Sequence, residues 1–181
     1  MIKKLASFIF HSLGWKSVGE VPSDIKKYII IGAPHTSNWD FFYGILFFLM
    51  KGIPLKFFIK KEWYFFPFNI LLKSLGGIPV DRSKKENLTD QIADFFNQHE
   101  KLAILITPEG TRSYNPQWKK GFYYISQKTK APIVLGYIDY EKKIGGFGPV
   151  FNITDDVEKD LETIKNFYKD KKGKFPEKGV R

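Results

Sequence analysis

The chain has 181 residues, no cysteine and a formal net charge of +10, from 29 basic and 19 acidic side chains. Such a length allows one sizeable hydrophobic core, which predicts a single domain. The missing cysteines exclude disulfides and thiolate zinc sites, and no stretch reaches the roughly 18 apolar residues that a membrane-spanning helix needs.

The first fifteen residues predict a short amphipathic helix. Two lysines precede apolar residues at helical spacing, namely Leu5, Phe8, Ile9 and Leu13, and the segment lacks the small-residue cleavage site of a signal peptide. Packing against the domain and contact with a membrane surface both fit this helix. We therefore divide the chain into an amphipathic, interfacial segment at 1–20, a main domain at 21–168 and a basic tail at 169–181 that is loose at its end.

Strand and helix patterns alternate along the main domain. Short apolar runs predict strands at 28–31, 55–59, 78–80, 102–106 and 133–138. Amphipathic stretches predict helices at 39–50, 65–75 and 119–130, and two further helices that follow a capping box at Ser83–Glu86 and a cap at Thr154–Asp156. This alternation is typical of an α/β fold with a mixed, largely parallel sheet flanked by helices.

Three polar clusters each follow a predicted strand directly: His35 to Asp40, Asp81 with Arg82, and Glu109 to Arg112. Ligands of open α/β sheets bind beyond the carboxyl ends of the strands. We therefore expect the three clusters to meet on one side of the sheet.

His35 and Asp40 predict a general base. An aspartate that bonds one imidazole nitrogen fixes the tautomer and leaves the other nitrogen free to take a proton. Taken alone, the two residues also fit a second interpretation, in which Asp40 is an acidic residue in the first turn of a helix and His35 belongs to a turn.

Two arginines, Arg82 and Arg112, lie inside a domain whose other basic side chains are nearly all among the 26 lysines. A guanidinium group offers a rigid fork for phosphate or carboxylate that lysine does not. A structural ion pair is the other interpretation of each arginine. Gly110, two residues before Arg112, allows a sharp turn or a close approach to a ligand.

The blocks HTSNWD (35–40), GGIPVDR (76–82), EGTRS (109–113) and APIV (131–134), in this order, resemble the four motif blocks of the glycerolipid acyltransferases. The resemblance is to the 1-acylglycerol-3-phosphate acyltransferases in particular, and it runs from about residue 28 to residue 140. The first block has that family's pattern of a histidine, four residues and an aspartate. This resemblance implies an α/β fold like that of the glycerol-3-phosphate acyltransferases.

The resemblance also implies a reaction. A fatty acyl group passes from a thioester, acyl-coenzyme A or acyl carrier protein, to the hydroxyl of lysophosphatidic acid, and the product is phosphatidic acid. His35 is then the base that Asp40 orients, with no metal or other cofactor. Arg112 binds the phosphate, together with Arg82, Gly77, Glu109, Gly110 and Thr111, whereas Pro132 and Ile133 border the acyl-donor side. Pro34 and Leu135 depart from the family's usual residues.

The resemblance and the charge together predict a peripheral enzyme at the cytoplasmic face of a membrane. The N-terminal helix, the aromatic run at 62–72 and the lysines suit an anionic lipid surface, although the aromatic run fits a buried core equally well. Frequent lysine without cysteine is typical of a bacterial protein. Nucleic acid is not an expected partner, because the lysines are scattered and no nucleic-acid-binding motif is present.

Two alternatives remain open at the level of the sequence. The acceptor is another lysolipid, such as a lysophospholipid or an amino-acid lysolipid, or the chain is a basic lipid-binding protein without catalysis.

Overall fold

The computed structural model describes residues 1–80 and 88–181, which form one seven-stranded sheet between two layers of helices. The strands are β1 (Lys16–Val18), β2 (Lys27–Gly32), β3 (Leu55–Lys60), β4 (Gly77–Val80), β5 (Leu102–Ile106), β6 (Ile133–Asp139) and β7 (Ile144–Phe151). The helices are α1 (Ile2–Ser12), α2 (Trp39–Lys51), α3 (Phe68–Ser74), α4 (Leu88–Asn97), α5 (Gly121–Thr129) and α6 (Val157–Tyr168), with short 3-10 helices at Lys61–Trp63 and Pro176–Lys178. The capping box at Ser83–Glu86 lies outside the described residues.

The sheet has the order β1-β7-β6-β2-β5-β3-β4, and all neighbours are parallel except β6 and β7. The prediction of a mixed, largely parallel sheet flanked by helices is confirmed. Strand β2 lies between β5 and β6, and its isoleucines are fully buried because helices cover both faces of the sheet. Its successive side chains alternate between the two cores, with Ile29 and Ile31 in one and Ile30 in the other.

The two cores use different helices. Helices α4, α5 and α6 pack on one face of the sheet, through residues such as Phe96, Phe122 and Ile164. Helices α1 and α2 pack on the other face, where Phe10 and Phe47 are buried. The parallel strands β2, β5 and β3 end at the same edge of the sheet, and the loops that follow them are therefore neighbours.

Strands β1 and β7 were not predicted from the sequence. Strand β7 contains Gly145, Gly146 and Gly148, which are poor strand formers on their own. In the structure they make room for aromatic rings, since a Cβ atom on Gly146 would lie 2.4 Å from Tyr137 and one on Gly148 would lie 2.2 Å from Phe167. Close packing of aromatic rings thus explains glycines that resemble a loop in the sequence.

Two apolar segments remain exposed at the surface. Helix α1 buries Ala6 and Phe10 but exposes Ile2, Leu5 and Phe8. The aromatic run is not buried core, because its large side chains are exposed, namely Trp63, Phe65, Phe66, Phe68, Ile70 and Leu71. No described helix is both long enough and apolar enough to cross a membrane.

The C-terminal tail packs against the domain, contrary to the expectation that it is loose at its end. The carbonyl of Lys172 accepts a hydrogen bond from the amide of Tyr140 at 2.8 Å. The amide of Phe175 donates to the hydroxyl of Thr36 at 3.3 Å, and the Arg181 guanidinium lies 4.5 Å from the ring of Tyr114. Basic residues suggested a solvated tail, but its backbone hydrogen bonds fix it to the sheet edge where β2 ends.

Candidate active site

His35 lies in the loop that joins the end of β2 to the start of α2. The chain leaves the buried strand at Gly32, and α2 begins at Trp39. The imidazole Nδ1 of His35 is 3.1 Å from Oδ2 of Asp40, in the first turn of α2. The His35 side chain is 21% exposed and that of Asp40 is 8% exposed. The pair is thus open to a ligand on the histidine side alone.

The Asp40 carboxylate is held by four hydrogen bonds. Oδ2 accepts from the amides of Thr36 and Ser37 at 2.7 and 2.8 Å as well as from His35. Oδ1 accepts from the hydroxyl of Tyr140 at 2.8 Å. Because a carboxylate only accepts hydrogen bonds, Nδ1 of His35 must be the donor, and Nε2 is left as the free base. Asp40 is therefore both an acidic residue at a helix N-terminus and the partner of His35.

Glu109 supports the same loop from the neighbouring strand. Its carboxylate accepts a hydrogen bond from the amide of His35 at 2.8 Å, and the residue is only 3% exposed. Burial raises the pKa of Glu109 to about 7, and the hydrogen bond from His35 partly opposes that shift. A buried carboxylate that bonds the His35 loop is not placed to bind an anion, so Glu109 does not fit the predicted phosphate-binding role.

The loop after β5 presents an arginine at its exposed tip. Gly110 has a φ of +67°, and a Cβ atom there would lie 2.7 Å from the Lys119 side chain. The side chain of Asn115 donates to the carbonyl of Glu109 at 2.8 Å and helps to close the loop. Thr111 and Arg112 are exposed, and Arg112 makes no hydrogen bond or ion pair with any described residue. Within residues 1–80 and 88–181, no group competes with a ligand for its guanidinium.

The structure does not bring Gly77, Pro132 or Ile133 to His35. Gly77 begins β4 and Ile133 begins β6, whereas His35 follows the end of β2. Ile133 pairs with Ile29, three residues before Gly32, and so lies about 10 Å from that end of the sheet. It is fully buried in the core. The predicted substrate roles of Gly77, Pro132 and Ile133 have no support from their positions, because these residues lie where strands begin, whereas His35 follows the end of a strand. Arg82 lies outside the described residues.

Tyr140 is a site residue that the sequence analysis missed. It follows β6 directly, in the same position relative to a strand as the three polar clusters, and this was the signal available in the sequence. The contact of Tyr140 with Asp40 could not be inferred from local patterns, because one hundred positions of chain separate the two residues.

Comparisons with known proteins agree with this geometry. A sequence model of the Acyltransferase family matches residues 17–137, about two thirds of the chain. Among solved structures, the 1-acyl-sn-glycerophosphate (LPA) acyltransferase PlsC from Thermotoga maritima is similar, with a TM-score of 0.66 and 18% sequence identity over 92% of this chain and 76% of that chain. Identity this low shows a shared fold. A search of curated proteins by sequence gives no match. The matched region includes β2, α2, the His35–Asp40 pair and the Arg112 loop, and the chain belongs to the Acyltransferase family of enzymes.

Proposed function

We propose that the protein transfers a fatty acyl group from an acyl thioester to the free hydroxyl of lysophosphatidic acid, giving phosphatidic acid. One observation carries the proposal: a histidine base with a free Nε2 lies on the loop beside the one that presents an exposed arginine, which has no partner in the part of the chain that the structure describes. The acyltransferase family supplies the reaction class. The similar fold of PlsC, whose name specifies lysophosphatidic acid, supports this acceptor.

The reaction follows from the placement of His35. Nε2 takes the proton of the acceptor hydroxyl as its oxygen attacks the thioester carbonyl, and a tetrahedral intermediate forms. When the intermediate collapses, the carbon–sulfur bond breaks and His35 returns the proton to the departing thiolate. Asp40 holds the ring in place and stabilises the imidazolium that exists between the two steps. No covalent acyl-enzyme is needed.

The phosphate of the acceptor is assigned to Arg112. A guanidinium group binds phosphate through two parallel hydrogen bonds and keeps its charge at any working pH. The positive φ of Gly110 sets the turn that carries Arg112 to the loop tip. Thr111 adjoins it, although its hydroxyl already accepts from the amide of Ser113 at 3.3 Å. Acyl-coenzyme A and acyl carrier protein are both kept as donors.

We also propose that the enzyme binds peripherally to an anionic membrane, at the cytoplasmic face where both proposed donors occur, through the edge of the sheet that holds the site. The aromatic segment begins where β3 ends, on the edge that also carries His35, and Trp63 and Phe66 are 66% and 77% exposed. Phe41 and Phe42, in the first turns of α2, are exposed beside Asp40. Exposed aromatic rings suit the membrane interface, and the exposed Lys60 adds attraction to anionic lipid.

Thiol release from acyl-coenzyme A and acyl carrier protein donors tests the reaction. The acceptor is lysophosphatidic acid or the matching monoacylglycerol, which lacks the phosphate, in mixed micelles. We expect turnover with lysophosphatidic acid that is about a thousandfold lower in His35→Ala. Turnover only with other lysolipids would replace the acceptor, and no turnover with any lysolipid would favour the non-catalytic lipid-binding alternative.

Flotation with liposomes tests membrane binding. The wild type should float with vesicles that contain anionic lipid, and the double variant Trp63→Ser, Phe66→Ser should float much less. The control is Tyr124→Ser, since Tyr124 is also an exposed aromatic residue, at 44%, but lies on α5, on the other face of the sheet. Equal flotation of both variants, or no flotation of the wild type at low salt, would contradict the proposed membrane contact.

A further inference from the structure

Tyr140 occupies a position that connects the base to three other parts of the fold. Its hydroxyl donates to Oδ1 of Asp40 at 2.8 Å. Its ring meets Trp15 edge-on at 5.1 Å and Tyr43 edge-on at 5.8 Å. Its amide donates to the carbonyl of Lys172 in the C-terminal tail. The ring is therefore packed between Trp15, which follows α1, and Tyr43 on α2, while the tail holds the backbone of Tyr140. These contacts orient the hydroxyl toward Asp40.

The Tyr140 hydroxyl completes the set of donors around Asp40. Three donors converge on Oδ2, and the Tyr140 hydroxyl is the donor at Oδ1 among the described residues. With the Asp40 side chain 8% exposed, loss of this donor would leave a buried carboxylate oxygen without a hydrogen bond. Burial and the hydrogen bond to Asp40 both raise the pKa of Tyr140, so that it remains a donor.

We propose that Tyr140 is a positioning residue for the general base, whose hydrogen bond to Asp40 sets how strongly His35 holds its proton. A donor at Oδ1 draws negative charge toward that oxygen and away from Oδ2, which faces the imidazole. The imidazolium is then stabilised less, and Nε2 is free to accept a proton at lower pH. The proposal rests on the proposed acyl transfer for its catalytic consequence, but not for its effect on the protonation of His35.

Other groups near the pair do not change with this hydrogen bond. Among the described residues, the other titratable and charged groups near the pair include Glu109 after β5, Tyr43 on α2 beside Tyr140, Tyr168 on α6 behind Glu109, and Lys174 in the tail, whose ammonium group lies 4.8 Å from the Trp39 ring. The Tyr140→Phe variant keeps all of these groups and removes only the hydroxyl that donates to Asp40.

The matched control is Tyr43→Phe. Tyr43 belongs to the same group of rings, and its hydroxyl makes no hydrogen bond within residues 1–80 and 88–181. Both substitutions therefore remove one hydroxyl from the same aromatic cluster and keep the ring. A loss of packing or stability would affect both variants, whereas a change at His35 should follow Tyr140 alone.

Titration of the histidine rings by NMR is the first measurement, because it does not depend on activity. The chain has three histidines, and His35→Ala assigns the signal. His11 and His99 serve as internal references, since each ring bonds a carbonyl four residues back, His11 within α1 and His99 just beyond the end of α4. We expect the His35 midpoint to rise by about half a pH unit in Tyr140→Phe and to stay fixed in Tyr43→Phe. No shift, or an equal shift in both variants, would overturn the proposal.

Kinetics then test the catalytic consequence. In Tyr140→Phe, we expect kcat to fall about two- to threefold near neutral pH, as the smaller fraction of neutral imidazole requires, with KM for both substrates kept and the acidic limb of the kcat/KM profile moved to higher pH. Tyr43→Phe should match the wild type. If the wild type has no acyl transfer, the proposed function fails while the NMR result still decides the role of Tyr140. If the wild type turns over and both variants equal it, the role of Tyr140 in positioning is wrong.

Discussion

The loop that carries His35 and the loop that carries Arg112 lie side by side, but they differ in how their side chains are held. In the first, His35 is bonded through its ring to Asp40 and through its amide to Glu109. In the second, a hydrogen bond from Asn115 to the carbonyl of Glu109 closes the loop, while Arg112 at its tip has no partner among the residues described. The side chains of the His35 loop are held in place without a ligand, whereas the described residues leave the Arg112 guanidinium without a partner.

This difference matches the two roles proposed for the loops, proton transfer by His35 and phosphate binding by Arg112. A base that must take a proton in the transition state gains from being placed in advance, because the enzyme then has no group left to reorganise during the reaction. A phosphate-binding arginine gains from being unpaired, because an internal ion pair would have to break before the ligand binds. The comparison predicts that changes in the first loop reduce kcat and changes in the second raise KM.

Apart from the loss of His35 itself, the largest effect is expected for Asp40→Asn. The asparagine oxygen can replace Oδ2 and accept from His35, Thr36 and Ser37, so the fold and the tautomer should be kept and only the charge lost. We expect kcat to fall about a hundredfold, near the lower end of what a general base contributes, with KM unchanged. Steady-state kinetics and thermal unfolding check this. A loss near ten-thousandfold would mean that the amide has turned and the tautomer is wrong.

The next effect is expected for Arg112→Ala. Loss of the guanidinium should raise KM for lysophosphatidic acid about thirtyfold and leave kcat within about threefold, because a hydrogen bond to a charged group is worth roughly 1.5–3 kcal/mol. The companion variant Arg112→Lys keeps the charge but not the two parallel donors of the guanidinium, and its KM should lie between those of the wild type and Arg112→Ala. A fall in kcat at unchanged KM would place Arg112 with the chemistry and remove the contrast between the loops.

The smallest effect on catalysis is expected for Glu109→Gln, whose main effect is on stability. The folded pKa of about 7 lies above the usual value of 4.5, so the folded protein loses stability as pH rises from about 4.5 to about 7. Glutamine still accepts from the amide of His35 but never ionises. The variant should match the wild type below about pH 4.5 and exceed it by about 3 kcal/mol at pH 8. Unfolding by denaturant across this range measures the gap, and a gap that does not change with pH would contradict the buried charge.

The sequence predicted the parts of the site that depend on short-range order. The strand before His35, the helix that starts beside Asp40 and the turn at Gly110 are all encoded within a few residues, and each prediction of position was close. Roles that depend on the direction along a strand were mistaken. Pro132 and Ile133 belong to a recognised block, but they enter the sheet at the end away from His35.

The contacts that complete the site could not be predicted, because they join distant parts of the chain. Glu109 reaches the amide of His35 across 74 positions, and its burial follows from the pairing of β2 with β5, which local patterns do not specify. Tyr140 and Phe175 reach the same loop across 100 and 139 positions. Lysines led to the expectation of a tail that is loose at its end, although the contacts of the tail are made largely by its backbone.

The packing of the tail on the His35 loop has a consequence for the order in which the enzyme is made. His35 and Asp40 leave the ribosome early, but the residues that hold their loop are synthesised much later, and the Phe175 contact spans 139 positions. Domains fold as units once enough of the chain has emerged. A growing chain that already contains the reactive pair therefore lacks the framework that makes it a base. Catalytic competence should appear only after residue 175 has emerged, in one step with the completion of the fold.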